Sequence, residues 1–283
     1  MRGLRPTTLG VIGLGAIGGS LARQARRAGI ATILGWSPEP AERAAAARDG
    51  VVDDAPGSAA AVAERAELLV LAGPPAANLE LLTRLAPHLP VGGLATDVGS
   101  VKRAIVTQAA TLGLGTRFAG SHPMAGTHEH GFAASRTDLF RGVVVYVTPA
   151  PGGTAAAREV AHFWESVLEA QAVIMDAALH DAQVTFTSQV PQIVSSLLGH
   201  FLATRTPPGA TLGPGARDTT RLAASNPSLW TEILLMNRDL LLPALRSLEE
   251  PLGELERALE TGDAQAVHAW LARAADWRRE IER

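Results

Sequence analysis

Three glycines, Gly13, Gly15 and Gly18, have the G-x-G-x-x-G spacing that binds dinucleotides. They follow an apolar run at residues 9–12 and precede a stretch typical of a helix, which is the context that the motif requires. Gly13 would permit a tight turn, Gly15 would let the backbone approach a pyrophosphate, and Gly18 would let helix and strand pack closely. Backbone N–H groups at the helix N-terminus, at Ala16 and Ile17, would face the phosphates. We therefore predict a site for NAD or NADP; a Gly-rich turn without a ligand is the alternative.

The end of the second predicted strand leaves the choice between NAD and NADP open. An NAD-specific site usually has an acid there, about 20 residues beyond the glycines, but this chain has Ser37 followed by Pro38. Ser37 lacks the charge that repels a 2′-phosphate, and Pro38 brings no charge to attract one. Glu39 could bind the ribose, Arg43 could reach a phosphate, and Ser37 could simply cap the next helix. We keep Ser37 as a cofactor-binding candidate and slightly favour NAD.

A histidine is the second candidate for chemistry. His122 lies in the small-residue run GSHPMAGT at residues 120–127, which we place in a loop after a predicted strand. Ligands of open α/β sheets bind beyond the carboxyl ends of the strands, and the polar run TDVGSVK at residues 96–102 ends at the same edge. A neutral imidazole accepts a proton near neutral pH. Ser100 could orient the imidazole, or it could cap the helix that follows.

The elements that must position these residues alternate along the first part of the chain. Short apolar runs alternate with Ala-rich stretches, which is typical of β-α-β units around a parallel sheet. The predicted strands are residues 9–12, 32–36, 68–72, 94–97, 117–120, 143–148 and 172–174. The predicted helices between them are residues 18–28, 40–49, 76–85, 101–112 and 154–168.

The strand pattern stops near residue 177 and helical stretches follow, with a Pro/Gly-rich loop near residues 207–215. We predict an α/β fold with an N-terminal Rossmann-type dinucleotide-binding domain, residues 1–176. An all-α domain for substrate binding and dimerisation, residues 177–283, would follow it. Leucines and other apolar residues recur at helical spacing from Leu229 to Leu255, and we interpret them as one helix of about 40 Å. Such a helix needs a partner surface, so we predict a two-fold homodimer.

Composition argues against several classes of protein. The formal net charge is −3 and is not gathered into blocks, so we expect neither nucleic acid nor an anionic membrane as a partner. The chain has no cysteine, which excludes disulfides, thiolate metal sites and a cysteine nucleophile. We interpret the sequence from His128 to His130 as a solvated loop, and we expect no metal. No long apolar run or signal peptide is evident, so we expect a cytoplasmic protein.

Further motifs occur along nearly the whole chain after the glycine motif. They are DVGSVK at 97–102, SHPMAGT at 121–127, DLF at 138–140, VTP at 147–149, LHD at 179–181, RDTTR at 217–221, SNP at 225–227, and Trp230. In these motifs the sequence resembles the prephenate and arogenate dehydrogenases of tyrosine biosynthesis. The resemblance implies oxidative decarboxylation of prephenate to 4-hydroxyphenylpyruvate with hydride transfer to NAD(P)⁺, or the arogenate reaction, which gives tyrosine directly. It also implies a Rossmann domain followed by a helical domain that forms a homodimer.

The same resemblance implies roles for individual residues. His122 would be the catalytic histidine, Ser100 would assist it, and Arg221 would bind a substrate carboxylate from the helical domain. Thr127, Gln192 and His180 are further candidates for substrate binding, with a buried structural role as the alternative for His180.

The chain departs from the family pattern at three positions. Where the family commonly has S-H-L-P-H, residues 188–192 read SQVPQ, so Gln189 and Gln192 replace both histidines. Gln192 can form hydrogen bonds but cannot titrate. His128 stands where the bacterial enzymes often have glutamate, which puts gating by a carboxylate in doubt.

Two other functions compete with this interpretation. Dehydrogenases related to 6-phosphogluconate dehydrogenase or pyrroline-carboxylate reductase also combine a Rossmann domain with a helical dimerisation domain. They lack the SHPMAGT run, and because Lys102 is the only lysine, the helical half offers no catalytic lysine. A nucleotide sensor without catalysis would not need His122, Ser100 and Arg221 together.

Overall fold

The computed structural model describes residues 3–126, 130–207 and 209–281. The substrate-binding candidate Thr127, the family departure at His128, and Glu129 lie outside the described residues. The chain forms two compact units, Met1–Val184 with Ala224–Met236 and Thr185–Ala223 with Asn237–Arg283. The first unit therefore includes segments that lie beyond the predicted boundary at residue 176, and that boundary stays a prediction.

The described residues of the first unit form seven strands in two hydrogen-bonded sheets. The strands are β1 (Thr8–Ile12), β2 (Thr32–Trp36), β3 (Leu68–Leu71), β4 (Leu94–Asp97), β5 (Ala119–Pro123), β6 (Val144–Pro149) and β7 (Gln171–Ile174). A parallel sheet has the order β2-β1-β3-β4, and a second sheet has the order β5-β6-β7. Nearly continuous apolar runs such as that of β3 suit strands that are buried on both faces.

The prediction of one parallel sheet is wrong for the second group of strands. β5 pairs with β6 antiparallel, and only β6 and β7 run parallel. One isolated bridge, between Ala95 and Phe118, connects β4 to β5. The strand predicted at residues 117–120 also lies further along the chain, because Gly115–Arg117 forms a 3₁₀ turn and β5 continues through His122 to Pro123. Ser121 and His122 are polar but buried in β5, so this strand lacks the alternation of apolar and polar residues that would have predicted it.

Thirteen helices complete the described part of the chain. They are α1 (Ala16–Arg27), α2 (Pro40–Arg48), α3 (Ala59–Ala63), α4 (Pro75–Leu85), α5 (Arg103–Thr111), α6 (Thr154–Ser166), α7 (Ala177–Val184), α8 (Val190–Arg205), α9 (Pro214–Thr219), α10 (Pro227–Met236), α11 (Arg238–Arg246), α12 (Glu249–Glu260) and α13 (Ala264–Glu280). A π-helical turn, Thr185–Gln189, precedes α8. The short α3 was not predicted; Ser58 caps it by accepting a hydrogen bond from the N–H of Ala61.

Two apolar cores hold the first unit together. One packs α1 and α6 with strands of both sheets, and it includes the fully buried ring of Trp164, in edge contact with Phe140. The other contains apolar residues of α3, α4 and α5 against the parallel sheet. These cores fix the carboxyl ends of the strands, where the candidate residues lie.

The prediction of one helix of about 40 Å from Leu229 to Leu255 is wrong. The stripe is divided among α10, α11 and α12, with a break at Asn237. Asn237 is buried, and its amide donates hydrogen bonds to Thr185 Oγ1 and Gln189 Oε1, both at 2.9 Å. The spacing of apolar residues does not reveal this break, because the break depends on buried hydrogen-bond partners that are distant in sequence. None of the described helices is long and apolar enough to cross a membrane.

Candidate active site

A cavity of about 420 Å³ lies at the carboxyl ends of β1, β3, β4 and β5. The described residues that line it all belong to the first unit. They are Gly15, Ala16, Ile17, Ala72, Gly73, Pro74, Pro75, Val98, Gly99, Ser100, His122, Pro123, Ala125, Gly126, His130, Gly131, Asn226 and Leu229. The cavity therefore brings together the glycine motif, Ser100 and His122, which the sequence analysis had placed at one edge of the sheet.

The glycine motif has the geometry that a pyrophosphate requires. Gly13 has a φ of +99°, which L side chains rarely adopt. A Cβ on Gly18 would lie 1.8 Å from the carbonyl oxygen of Gly13, so helix and turn can approach only without a side chain there. A Cβ on Gly15 would meet nothing within 4 Å, so its backbone borders open space in the cavity. The N-terminus of α1, at Ala16 and Ile17, lines the same cavity, and no described side chain caps it.

A second cavity of about 210 Å³ lies between the ends of β1, β2 and β3 and includes Trp36, Pro38 and Arg84 in its lining. Ser37, between the first two of these residues, is buried. Its hydroxyl donates to Glu42 Oε2 and accepts from the N–H of Glu39.

The structure thus places a carboxylate directly against the cofactor-binding candidate Ser37. Glu42, five residues beyond Ser37 on α2, was missed in the sequence, where only Glu39 was considered. The guanidinium of Arg43 donates to the backbone carbonyl of Ser37. The alternative that Ser37 caps α2 is wrong, because Glu39 occupies the N-cap position without a side-chain cap.

His122 lies within β5, opposite Tyr146 of β6, and not in a loop as predicted. It is only 8% exposed and lines the larger cavity. Its Nδ1 lies 2.8 Å from Nε2 of His180, whose own Nδ1 lies 2.8 Å from Oδ1 of Asp181. Burial, and then the proximity of His180 and Lys102, hold the pKa of His122 well below its usual value. The ring is therefore neutral at neutral pH and can accept a proton.

The side chain of His180 does not fit the substrate-binding role for which it was a candidate. It is completely buried in α7, and both ring nitrogens are engaged, one by His122 and one by Asp181. Both ring nitrogens of His180 are therefore used within the protein, and neither remains for a substrate.

Asp181 joins this chain of rings to the start of α5. Its carboxylate accepts from the backbone N–H groups of Lys102, at 2.8 Å, and Arg103, at 3.0 Å, and from Arg103 Nε at 3.2 Å. Burial by itself would raise the pKa of Asp181, but hydrogen bonds from His180 and from these N–H groups outweigh it and lower the pKa. The alternative that Ser100 caps this helix is wrong, because α5 begins at Arg103 and Asp181 satisfies its first donors.

A buried ion pair holds β4 against β5. Lys102 Nζ lies 2.6 Å from both carboxylate oxygens of Asp97 and 2.7 Å from the carbonyl oxygen of Ser121, next to His122. Burial raises the pKa of Asp97 and lowers that of Lys102, while their mutual attraction opposes both shifts. Ser121 Oγ also contacts Thr96 Oγ1 at 2.7 Å. The sequence analysis had not predicted this ion pair between Lys102 and Asp97.

The remaining candidates lie in the second unit. Gln192 of α8 is buried, and its amide donates to the carbonyl oxygen of Leu222 at 2.8 Å and to Ser196 Oγ at 3.2 Å. Arg221 opens a 3₁₀ turn and has an exposed side chain. Among the described residues, no cluster of three or more His, Asp or Glu could hold a metal ion.

Comparison with known proteins identifies the family. A family model described as prephenate dehydrogenase, nucleotide-binding domain, matches residues 21–175, and one described as prephenate dehydrogenase, dimerization domain, matches residues 176–273. The prephenate dehydrogenase of Lactococcus lactis subsp. cremoris is 32% identical over 280 residues, which are 96% of this chain and 77% of that protein. The chain belongs to the prephenate dehydrogenase family, which confirms the resemblance found in the sequence.

Two solved structures are similar over nearly the whole chain. Prephenate dehydrogenase from Aquifex aeolicus, in complex with hydroxyphenyl propionate and NAD⁺, has a TM-score of 0.90 at 28% identity, covering 98% of this chain and 99% of that one. Synechocystis arogenate dehydrogenase has a TM-score of 0.83 at 28% identity, covering 97% and 99%. The predicted fold class, a Rossmann-type domain followed by a helical one, is confirmed.

Proposed function

We propose that this protein is a prephenate dehydrogenase of tyrosine biosynthesis, which converts prephenate to 4-hydroxyphenylpyruvate and CO₂. The observation that carries the proposal is that a dinucleotide-binding glycine motif, Ser100 and a neutral buried histidine, His122, line one cavity. Membership of the family and its 32% identical relative named prephenate dehydrogenase support it. The similar structure with NAD⁺ supports a nicotinamide dinucleotide as cofactor.

Prephenate carries a hydroxyl group at C4 of a cyclohexadiene ring and a carboxylate at the quaternary C1. A bound nicotinamide dinucleotide supplies the acceptor for the hydride that leaves C4. His122 accepts the proton of the C4 hydroxyl, and Ser100 donates a hydrogen bond that orients this hydroxyl. The bond from C1 to the carboxylate then breaks, and its electrons make the ring aromatic as CO₂ leaves. The oxygen at C4 takes up a proton to give the phenol. Arg221 binds a carboxylate with its planar fork of donors.

Initial rates with prephenate or arogenate and NAD⁺ or NADP⁺, in all four combinations, test this function. We expect prephenate with NAD⁺ to give the highest kcat/KM. A higher kcat/KM with arogenate would assign the arogenate reaction instead. Absence of turnover with both substrates, in a protein shown to be folded, would overturn the proposal.

The preference for NAD⁺ is proposed from the charge beside Ser37. Because the carboxylate of Glu42 contacts the hydroxyl of Ser37, negative charge lies where an NAD-specific site has its acid. We expect NAD⁺ to bind about tenfold more tightly than NADP⁺, and Glu42→Gln to remove most of that difference. Dissociation constants from calorimetry measure this without turnover. Glu64→Gln, which alters an exposed pair with His88, is the matched control; an unchanged ratio in Glu42→Gln would refute the assignment.

Arg221 is proposed to bind a substrate carboxylate. We expect Arg221→Ala to raise KM by roughly 30-fold, about 2 kcal/mol, with little change in kcat. Arg221→Lys should recover only part of this loss, since a lysine has no bidentate fork. Steady-state kinetics of these variants and of Arg205→Ala, at the exposed end of α8, provide the comparison. Normal binding of prephenate by Arg221→Ala would show that Arg221 has only a structural role.

We also propose a homodimer formed by the helical half. The matching family model is described as a dimerization domain, and several apolar side chains of the second unit, among them Leu197, Phe201, Leu252 and Leu271, are more than half exposed. Covering such side chains is the usual reason for an apolar subunit interface. We expect light scattering at micromolar concentration to give about twice the chain mass of 29.5 kDa. A folded and active species of 29.5 kDa would contradict this prediction.

A further inference from the structure

The hydrogen bonds around His180 determine which nitrogen of His122 carries a proton. Asp181 is held as a carboxylate, since its pKa is lowered and it accepts from the N–H groups of Lys102 and Arg103 and from Arg103 Nε. An ionised carboxylate can only accept. The contact of 2.8 Å with His180 therefore requires a proton on His180 Nδ1.

The other nitrogen of His180 then faces His122. His180 has no exposed surface, and Lys102 already places a positive charge near these rings. The negative charge of Asp181 already has Arg103 as an ion-pair partner. A second proton on His180 would bury a further cation, which is costly. The Nε2 atom of His180 therefore has a lone pair that accepts the proton of His122 Nδ1 at 2.8 Å.

We propose that His180 and Asp181 are positioning residues that hold His122 as the Nδ1–H tautomer and so leave the lone pair of Nε2 for the substrate hydroxyl. This inference rests on the proposed function for its catalytic consequence but not for the tautomer itself. When Nε2 accepts the substrate proton, the resulting cation of His122 is hydrogen-bonded through His180 to the carboxylate of Asp181. A buried carboxylate, Asp181, thus orients the base His122 through a second imidazole, that of His180.

The tautomer is measurable in the wild-type protein without substrate. Selective ¹⁵N labelling of the histidine rings and long-range ¹H–¹⁵N correlation distinguish a protonated ring nitrogen from an unprotonated one, and His122→Asn assigns the signals. We expect a protonated Nδ1 and an unprotonated Nε2 on His122 at neutral pH. A free neutral histidine favours the opposite tautomer, so a proton on Nε2 would overturn the proposal.

Two substitutions of His180 test the catalytic consequence. His180→Leu removes the acceptor, and we expect kcat to fall by roughly 10²-fold, with KM and the dissociation constant of the dinucleotide changed less than about twofold. His180→Gln can accept a hydrogen bond from His122 and donate one to Asp181 through its amide. Its kcat should therefore be at least tenfold higher than that of His180→Leu. The matched control is His88→Leu, which breaks an exposed contact of 2.9 Å between a histidine and Glu64 and should leave kcat unchanged.

The outcomes separate this inference from the proposed function. Equal kcat values for wild type and His180→Leu would overturn the positioning role, and so would equal losses in the Leu and Gln variants. If His180→Leu does not fold, the wild-type spectrum and His180→Gln still decide. A wild-type protein that turns over neither prephenate nor arogenate refutes the proposed function, whereas the tautomer spectrum continues to test the hydrogen-bond assignment.

Discussion

Replacing His122 with asparagine is expected to lower kcat by roughly 10²-fold or more while changing KM little. Asparagine can still form hydrogen bonds from this position on β5, but it cannot take up the proton that leaves the C4 hydroxyl. Loss of a proton acceptor removes an interaction made in the transition state, and its effect appears in kcat and kcat/KM together. Steady-state kinetics with prephenate measure it, with His88→Asn as a control for an exposed histidine.

The pH dependence provides a second check on the same residue. Because the pKa of His122 is lowered, the ring loses its proton below the usual histidine range as pH rises. The active, neutral form then predominates at pH 6.5, so the acid limb of kcat should lie below that pH and vanish in His122→Asn. Near-normal kcat in the variant, or an acid limb above pH 6.5 in the folded wild type, would remove His122 from the proton transfer.

Features encoded by neighbouring residues were predictable from the sequence. The strand before Gly13 and the helix after it follow from an apolar run, the three glycines and a helix-forming stretch, and β1 and α1 begin within two residues of the predicted positions. The same local patterns located the strands that end at Trp36 and Asp97. Since carboxyl ends of parallel strands share one edge, the joint placement of Ser100 with the glycine motif also followed.

Features that depend on partners distant in sequence were not predictable. Asp181 accepts from the N–H of Lys102, 79 residues away, and nothing near either residue indicates the pairing. The antiparallel pairing of β5 with β6 places His122 on a strand, although its neighbours Ser121 and Pro123 indicate a loop. Likewise Asn237 ends α10 because Thr185 and Gln189 bind its amide. In each case the hydrogen bonds join residues that are far apart in the sequence, so the local pattern of residue types does not reveal them.

The largest loss of stability is expected from Lys102→Met. Lys102 contacts both oxygens of Asp97 at 2.6 Å, and both side chains are buried. Methionine has a similar length but no charge, so the carboxylate of Asp97 would keep the N–H of Gly99 as a donor and lose its cation. Leaving a buried charge uncompensated costs about 3 to 5 kcal/mol in the free energy of unfolding. Urea unfolding at fixed protein concentration measures this loss.

Two further variants show whether the loss comes from the uncompensated buried charge or from packing. The double variant Lys102→Met with Asp97→Asn carries neither the buried ammonium nor the buried carboxylate. It should therefore be more stable than Lys102→Met alone. Arg65→Met breaks an ion pair with Asp54 in which both side chains are about half exposed, and should cost about 1 kcal/mol or less. Because Lys102 also binds the carbonyl oxygen of Ser121, next to His122, the loss should lower kcat as well. If Lys102→Met had the same midpoint of urea unfolding as the wild type, β4 and β5 would be held together without this ion pair.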